Sequence, residues 1–140
     1  MTSAPRDLWP EIPTEIKTGP FSILQEQAES LRRKTNGKLD GRVYRTARGN
    51  QFYLSFRIVL PNLDDYEYEL FQVHHGAEIY PVIVDSGPIA PDASVVKVSR
   101  GKRKLKNEVE FEAWLRGTLH SERTQQVIGT LLAQSDLEVA

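Results

Sequence analysis

The side chains best suited to acid-base or metal chemistry gather between positions 64 and 75: Asp64, Asp65, Glu67, Glu69 and the adjacent pair His74-His75. On a strand, neighbouring residues point to opposite faces, so the two imidazoles do not chelate one ion by themselves and would need carboxylates from elsewhere. The acids close by in sequence follow no ligand spacing. Paired carboxylates do acid-base work only when one is buried and its pKa is raised. Glu67 and Glu69, two apart, read instead as the solvated side of a strand. His120 stands alone, and Ser55 and Ser86 have no histidine close in sequence. The chain contains no nucleophile elbow, P-loop, dinucleotide fingerprint or zinc-protease motif. It also lacks cysteine, which removes disulfides, thiolate catalysis and cysteine-based metal sites together. No catalytic residue, no metal ligand and no cofactor is therefore assigned.

Charge carries more information than any of these groups. The formal net charge is -1, but the charges are sorted along the chain. Between Arg32 and Arg57 lie eight basic residues (Arg32, Arg33, Lys34, Lys38, Arg42, Arg45, Arg48, Arg57) and one acid, Asp40. From Ile58 to Val96 there are seven acids and no base. The run Lys97, Arg100, Lys102, Arg103, Lys104 and Lys106 then has six bases and no acid. Opposite blocks can neutralise one another as cross-strand pairs. A block that escapes this becomes a patch that steers a charged partner. The 97–106 run contains Gly101 and no apolar period, so it is predicted to be a loop, and loops carry binding more often than cores do.

These groups are positioned by a chain of 140 residues with 39% hydrophobic and 26% charged content, the size and balance of one globular domain. Residues 1–17 hold Pro5, Pro10 and Pro13 and are predicted to be an extended arm. Its Leu8, Trp9, Ile12 and Ile16 call for an anchor, on the domain or on a partner. Residues 18–140 are predicted to form a single α+β domain. Pro20 suits a helix start and Asn36-Gly37 a left-handed stop, giving a helix over 20–35 that buries Phe21, Leu24, Ala28 and Leu31.

The period then falls to two. Strands are predicted at 39–47, 51–60, 66–74 and 78–84, with a further short strand at 95–98 that could pair with the fourth. Phe52, Leu54, Phe56, Ile58 and Leu60 alternate without a break and fix one buried face. In the third strand Tyr66, Tyr68 and Leu70 are out of phase with Phe71 and Val73, which requires either two covered faces or a bulge. Pro81 marks an edge or an irregularity in the fourth. Asn107 with Glu110 three residues on opens a helix over 108–119, and Ser121 caps a last helix reaching about 134. The fold class is thus α+β: an antiparallel four- or five-stranded meander packed against an N-terminal helix and two C-terminal helices.

The N-terminal residues have no apolar signal core, and no apolar run approaches the roughly 20 residues of a membrane helix, so a cytoplasmic location is expected. The first expectation for function is a non-catalytic protein-binding domain. It would be an accessory or neutralising partner of the immunity or antitoxin type that docks an acidic protein surface through Lys97, Arg100, Lys102, Arg103, Lys104 and Lys106. Tyr53 and Arg57 form a secondary candidate surface, exposed if helices cover only one face of the sheet. Sequence-independent nucleic-acid binding through the same loop is the second reading, weakened by a pI of about 6.3. A hydrolase or metal-dependent enzyme using His74, His75 and nearby acids is the third.

Overall fold

The computed structural model describes residues 6–12, 19–85 and 102–137. Helix α1 spans Pro20–Lys34. Pro20 sits where a backbone N–H has no helical partner, and Arg32, Arg33 and Lys34 lie at the negative end of the helix dipole. The helix stops as its sequence dictates. Asn36 and Gly37 take positive φ values of 53° and 82°, while Asn36 N–H bonds Arg33 O at 3.2 Å and Gly37 N–H bonds Arg32 O at 2.9 Å. These two bonds satisfy carbonyls that the helix end would otherwise leave bare. Thr35 Oγ1 then accepts from Leu39 N at 3.1 Å and leads the chain into the sheet.

Five antiparallel strands follow in simple meander order: β1 (Asp40–Arg48), β2 (Gln51–Leu60), β3 (Tyr66–His75), β4 (Val82–Asp85) and β5 (Lys102–Leu105). Gly49 supplies the positive φ of the tight β1–β2 hairpin, in which Arg48 pairs with Gln51. A 3-10 turn at Pro61–Leu63 joins β2 to β3. The phase conflict in β3 is resolved by a bulge. Arg57 pairs with Glu69 but Phe56 pairs with Phe71, so Leu70 is an extra residue. The insertion brings Tyr68 opposite Ile58 and Val73 opposite Leu54, on one face.

Two strand expectations need correction. The fourth strand begins after Pro81 rather than at Glu78, because proline offers no N–H to the ladder. The strand that pairs with it is Lys102–Leu105, with Val82 opposite Leu105 and Val84 opposite Arg103. Residues 102–105, expected within a basic loop, are therefore a sheet edge. The expected strand at 95–98 lies outside the described residues, as do Lys97 and Arg100.

Helices α2 (Glu108–Leu119) and α3 (Glu122–Leu137) complete the fold. Asn107 Oδ1 accepts from Glu110 N at 2.9 Å, and Glu110 Oε1 reaches back to Lys106 N at 2.8 Å, one residue before the usual capping-box target. Ser121 Oγ accepts from Thr124 N at 3.2 Å. Helix α3 runs three residues past its expected end.

The three helices lie on one face of the sheet. Helix α1 approaches β1 so closely at Gly41 that a Cβ there would fall 2.5 Å from Ala28 Cα. Phe111 and Leu115 of α2 and Leu131 of α3 join Leu54, Phe56, Ile58, Val73, Val82, Val84 and Leu105 in one core. Among the described residues, no helix is long and apolar enough to cross a membrane.

Candidate functional site

The face of the sheet away from the helices collects the charged and aromatic side chains. Register places Arg42 opposite Arg57 and Arg57 opposite Glu69, with Tyr44 opposite Ser55. Glu67 draws this row together. Its Oε2 accepts from Tyr44 Oη at 2.6 Å and Arg42 Nη1 at 2.7 Å, and its Oε1 accepts from Arg57 Nη1 at 3.2 Å. Arg57 also donates Nε to Ser55 Oγ at 3.1 Å, lies 4.6 Å over the Tyr44 ring, and Ser55 Oγ donates to Glu69 Oε2 at 2.7 Å.

The hydrogen bond from Tyr44, followed by those from Arg57 and the charges of Arg42 and Arg57, holds the Glu67 carboxyl below its ordinary range, against partial desolvation. Its stabilising contribution is then present above the unfolded carboxyl value of about 4.3 and is lost as pH falls through the lower folded value. Glu67→Gln should therefore lower the melting temperature at neutral pH and flatten its acid limb. An unchanged difference between the two proteins from pH 7 to pH 3 would contradict the network.

The described helices lie on the other face of the sheet, and Tyr53 and Arg57 are half-buried among neighbours on this one. Ser55 is only 4% exposed, because Arg57 and Glu69 roof it with their own long side chains. Tyr53 is flanked by Arg48, 4.6 Å over its ring, and by His74, stacked at 4.9 Å. Tyr53 and Arg57 thus each contact neighbours within the sheet. The two histidines diverge as adjacent strand residues must. His74 Nδ1 lies 3.1 Å from Gln51 Oε1 on the open face, while His75 packs near Phe52 on the helical face with Nδ1 2.8 Å from Gly76 O. Among the described residues, no three metal-ligating side chains converge.

Of the first basic block, Arg42 and Arg57 form ion pairs, both with Glu67. Lys102, Arg103, Lys104 and Lys106 are exposed, and among the described residues none forms an ion pair. Lys104 stands opposite Ile83 and Lys102 opposite Asp85 on the open face, whereas Arg103, opposite Val84, turns to the helical side. There it borders a cavity of about 960 Å³ between β3, α2 and the start of α3, with Leu70, Phe71 and Trp114 as apolar lining. This cavity was invisible in the sequence, because β3 and the α2–α3 helices that wall it are distant along the chain. A smaller cavity of about 360 Å³ continues along β3 between Tyr66, Tyr68 and Arg123, Val127 and Leu131. No protein-family model, no curated protein and no solved structure matches this chain.

Proposed function

We propose that this chain is a non-catalytic protein-binding domain, an accessory or neutralising partner of the immunity or antitoxin kind, that docks an acidic protein surface on the β5 edge. One observation carries the reading. Arg42 and Arg57 of the first basic block both form ion pairs with Glu67, while Lys102, Arg103, Lys104 and Lys106 are exposed and form no ion pair among the described residues, Lys102 standing opposite Asp85 in the register. A cluster of exposed cations on a short edge strand raises the encounter rate with an acidic surface and disfavours basic ones. The same lysines discourage indiscriminate edge pairing. A cytoplasmic setting, where such partners act, belongs to the same proposal.

The test is affinity capture with the full chain and with Lys102→Glu/Lys104→Glu/Lys106→Glu. The triple variant should lose an acidic partner that the wild type retains, with affinity falling at least about tenfold. Both chains capturing the same proteins equally would sink the proposal. Salt-dependent retention of DNA or RNA, without any specific protein, would favour phosphate binding by these lysines instead.

A further inference from the structure

Strand β1 carries arginines that the fold positions without neutralising. From Gly41 to Leu63 the chain holds four arginines and no acid. Arg42 and Arg57 reach Glu67, whereas Arg45 and Arg48, both exposed, do not. The Arg45 guanidinium sits over the Phe21 ring at 4.1 Å, and that of Arg48 over the Tyr53 ring at 4.6 Å. An aromatic face holds a guanidinium by its flat side and leaves the N–H edge available to an acceptor. Among the described residues, neither Arg45 nor Arg48 has an ion-pair partner or a hydrogen-bond acceptor. Two forks are thereby pre-ordered for an anion that takes them edge-on, as a phosphate does.

The side chains beside them supply donors and a ring. Arg42, Tyr44, Thr46 and Arg48 alternate along one face of β1 over about 20 Å, and all four are exposed. Tyr44 keeps 37% of its surface exposed although Arg57 lies 4.6 Å over its ring. Its hydroxyl is given to Glu67, so the ring is what it presents to a ligand. The acids around this row are engaged or lie aside. Glu67 accepts from three donors, and Asp40 Oδ1 accepts from Gly41 N–H at 2.8 Å. On α1, Phe21 and Ala28 share the stripe that meets Arg45 and Gly41, and Glu26 and Glu29 fall off that stripe. Glu78, in the segment after β3, forms no ion pair with either arginine.

This combination separates one polyanion from the others. An acidic protein surface offers carboxylates, and an anionic membrane offers headgroups without stacked rings. A single-stranded nucleic acid offers phosphates at regular spacing together with bases that have π-faces. Cations that track a backbone, with an aromatic ring between them, are what such a strand requires. The net charge of -1 does not oppose this, because the acids of the chain are concentrated outside residues 41–63 and the local balance along β1 is positive.

We infer that a single-stranded nucleic acid docks along β1, with phosphates on Arg45 and Arg48 and a base stacked on Tyr44. Recognition is by backbone and stacking, so it carries little sequence preference. Strands β1 and β5 stand at opposite ends of the sheet order, which makes the inference independent of the β5 docking proposal.

Fluorescence anisotropy of the full chain with labelled oligo(U) and oligo(dT) of about 12 nucleotides, within single-strand site sizes, tests it. The wild type should bind at about 50 mM salt, with affinity that falls as salt rises. Tighter binding of oligo(U) would assign RNA, and equal binding the phosphodiester strand that both share. Arg45→Ala/Arg48→Ala should weaken binding at least about tenfold and make the plot of log affinity against log salt shallower by about 1.4, for two single-strand phosphate contacts at about 0.7 each. Tyr44→Leu should weaken it about fivefold or more, the effect of one lost base stack, at unchanged salt slope. Tyr44→Phe keeps the ring and loses only the hydrogen bond to Glu67, so it should bind as the wild type does and separates stacking from damage to that network. Lys102→Ala/Lys104→Ala/Lys106→Ala should retain binding. Absence of binding at low salt, a Tyr44→Leu variant that binds as the wild type, or binding lost in the lysine variant and kept in the arginine one would each overturn the inference. Displacement of the oligonucleotide by polyglutamate at equal charge would also overturn it, in favour of an acidic protein on this surface.

Discussion

Phe111→Ala should destabilise the protein by about 3–5 kcal/mol, the range for truncating a fully buried aromatic side chain. Phe111 is inaccessible to solvent and lies near Trp114, their ring centroids 6.1 Å apart, so it ties α2 to the helical face of the sheet. Alanine removes the transfer free energy of the ring and leaves a void whose walls, set by β-strands and two helices, collapse only in part. A loss of this size takes up a large share of the roughly 5–15 kcal/mol by which domains are stable. It should be read from a denaturant midpoint at unchanged slope, because a changed slope would report altered compactness instead. Val109, on the same helix, is exposed, and Val109→Ala should stay within about 0.5 kcal/mol. If both substitutions cost the same, α2 does not pack through Phe111.

Gly41→Ala should cost about 3 kcal/mol, at or beyond the upper end for overpacking, although it adds a single methyl group. The reason is what that methyl meets. A Cβ at Gly41 would stand 2.5 Å from Ala28 Cα and 2.6 Å from Ala28 Cβ. The first of these is helix backbone, which cannot rotate away as a flexible side chain could, so α1 must lift from β1 or the strand must bend. Ala28→Gly removes one of the two colliding atoms and leaves the other, so it should not rescue Gly41→Ala. Gly117, where an added Cβ has nothing within 4 Å, provides the contrast. Gly117→Ala should be neutral or slightly stabilising, since it raises helix propensity in open space. Equal melting temperatures for Gly41→Ala and the wild type would mean that α1 sits farther from the sheet.

Local order was legible because its causes are local. The stop at Asn36-Gly37, the caps at Asn107 and Ser121, and the unbroken alternation from Phe52 to Leu60 each depend on residues within a few positions of one another. They placed α1, α2, the start of α3 and β2 within a residue or two. The phase conflict between Tyr68 and Phe71 narrowed β3 to two solutions, and the register selected the bulge at Leu70. Composition and motif absence likewise narrowed the chemistry without naming a function.

What the sequence alone determined about this protein is therefore its α+β class, the bounds of α1 and α2 and the start of α3, the buried face of β2 and the sorting of its charge into blocks. Tertiary structure decided what the blocks mean. Arg42 and Glu67 are 25 positions apart and meet only because β1, β2 and β3 lie side by side. Such neutralisation depends on register, a non-local quantity that no window of sequence contains. The same cause turned residues 102–105 from an expected loop into an edge strand, since their partner β4 supplies the hydrogen bonds that make a polar tetrapeptide extended. It also buried Ser55 on the face away from the helices. Pairing across strands assigns each cation its neighbour, and here it set Arg103 opposite Val84 and Lys104 opposite Ile83.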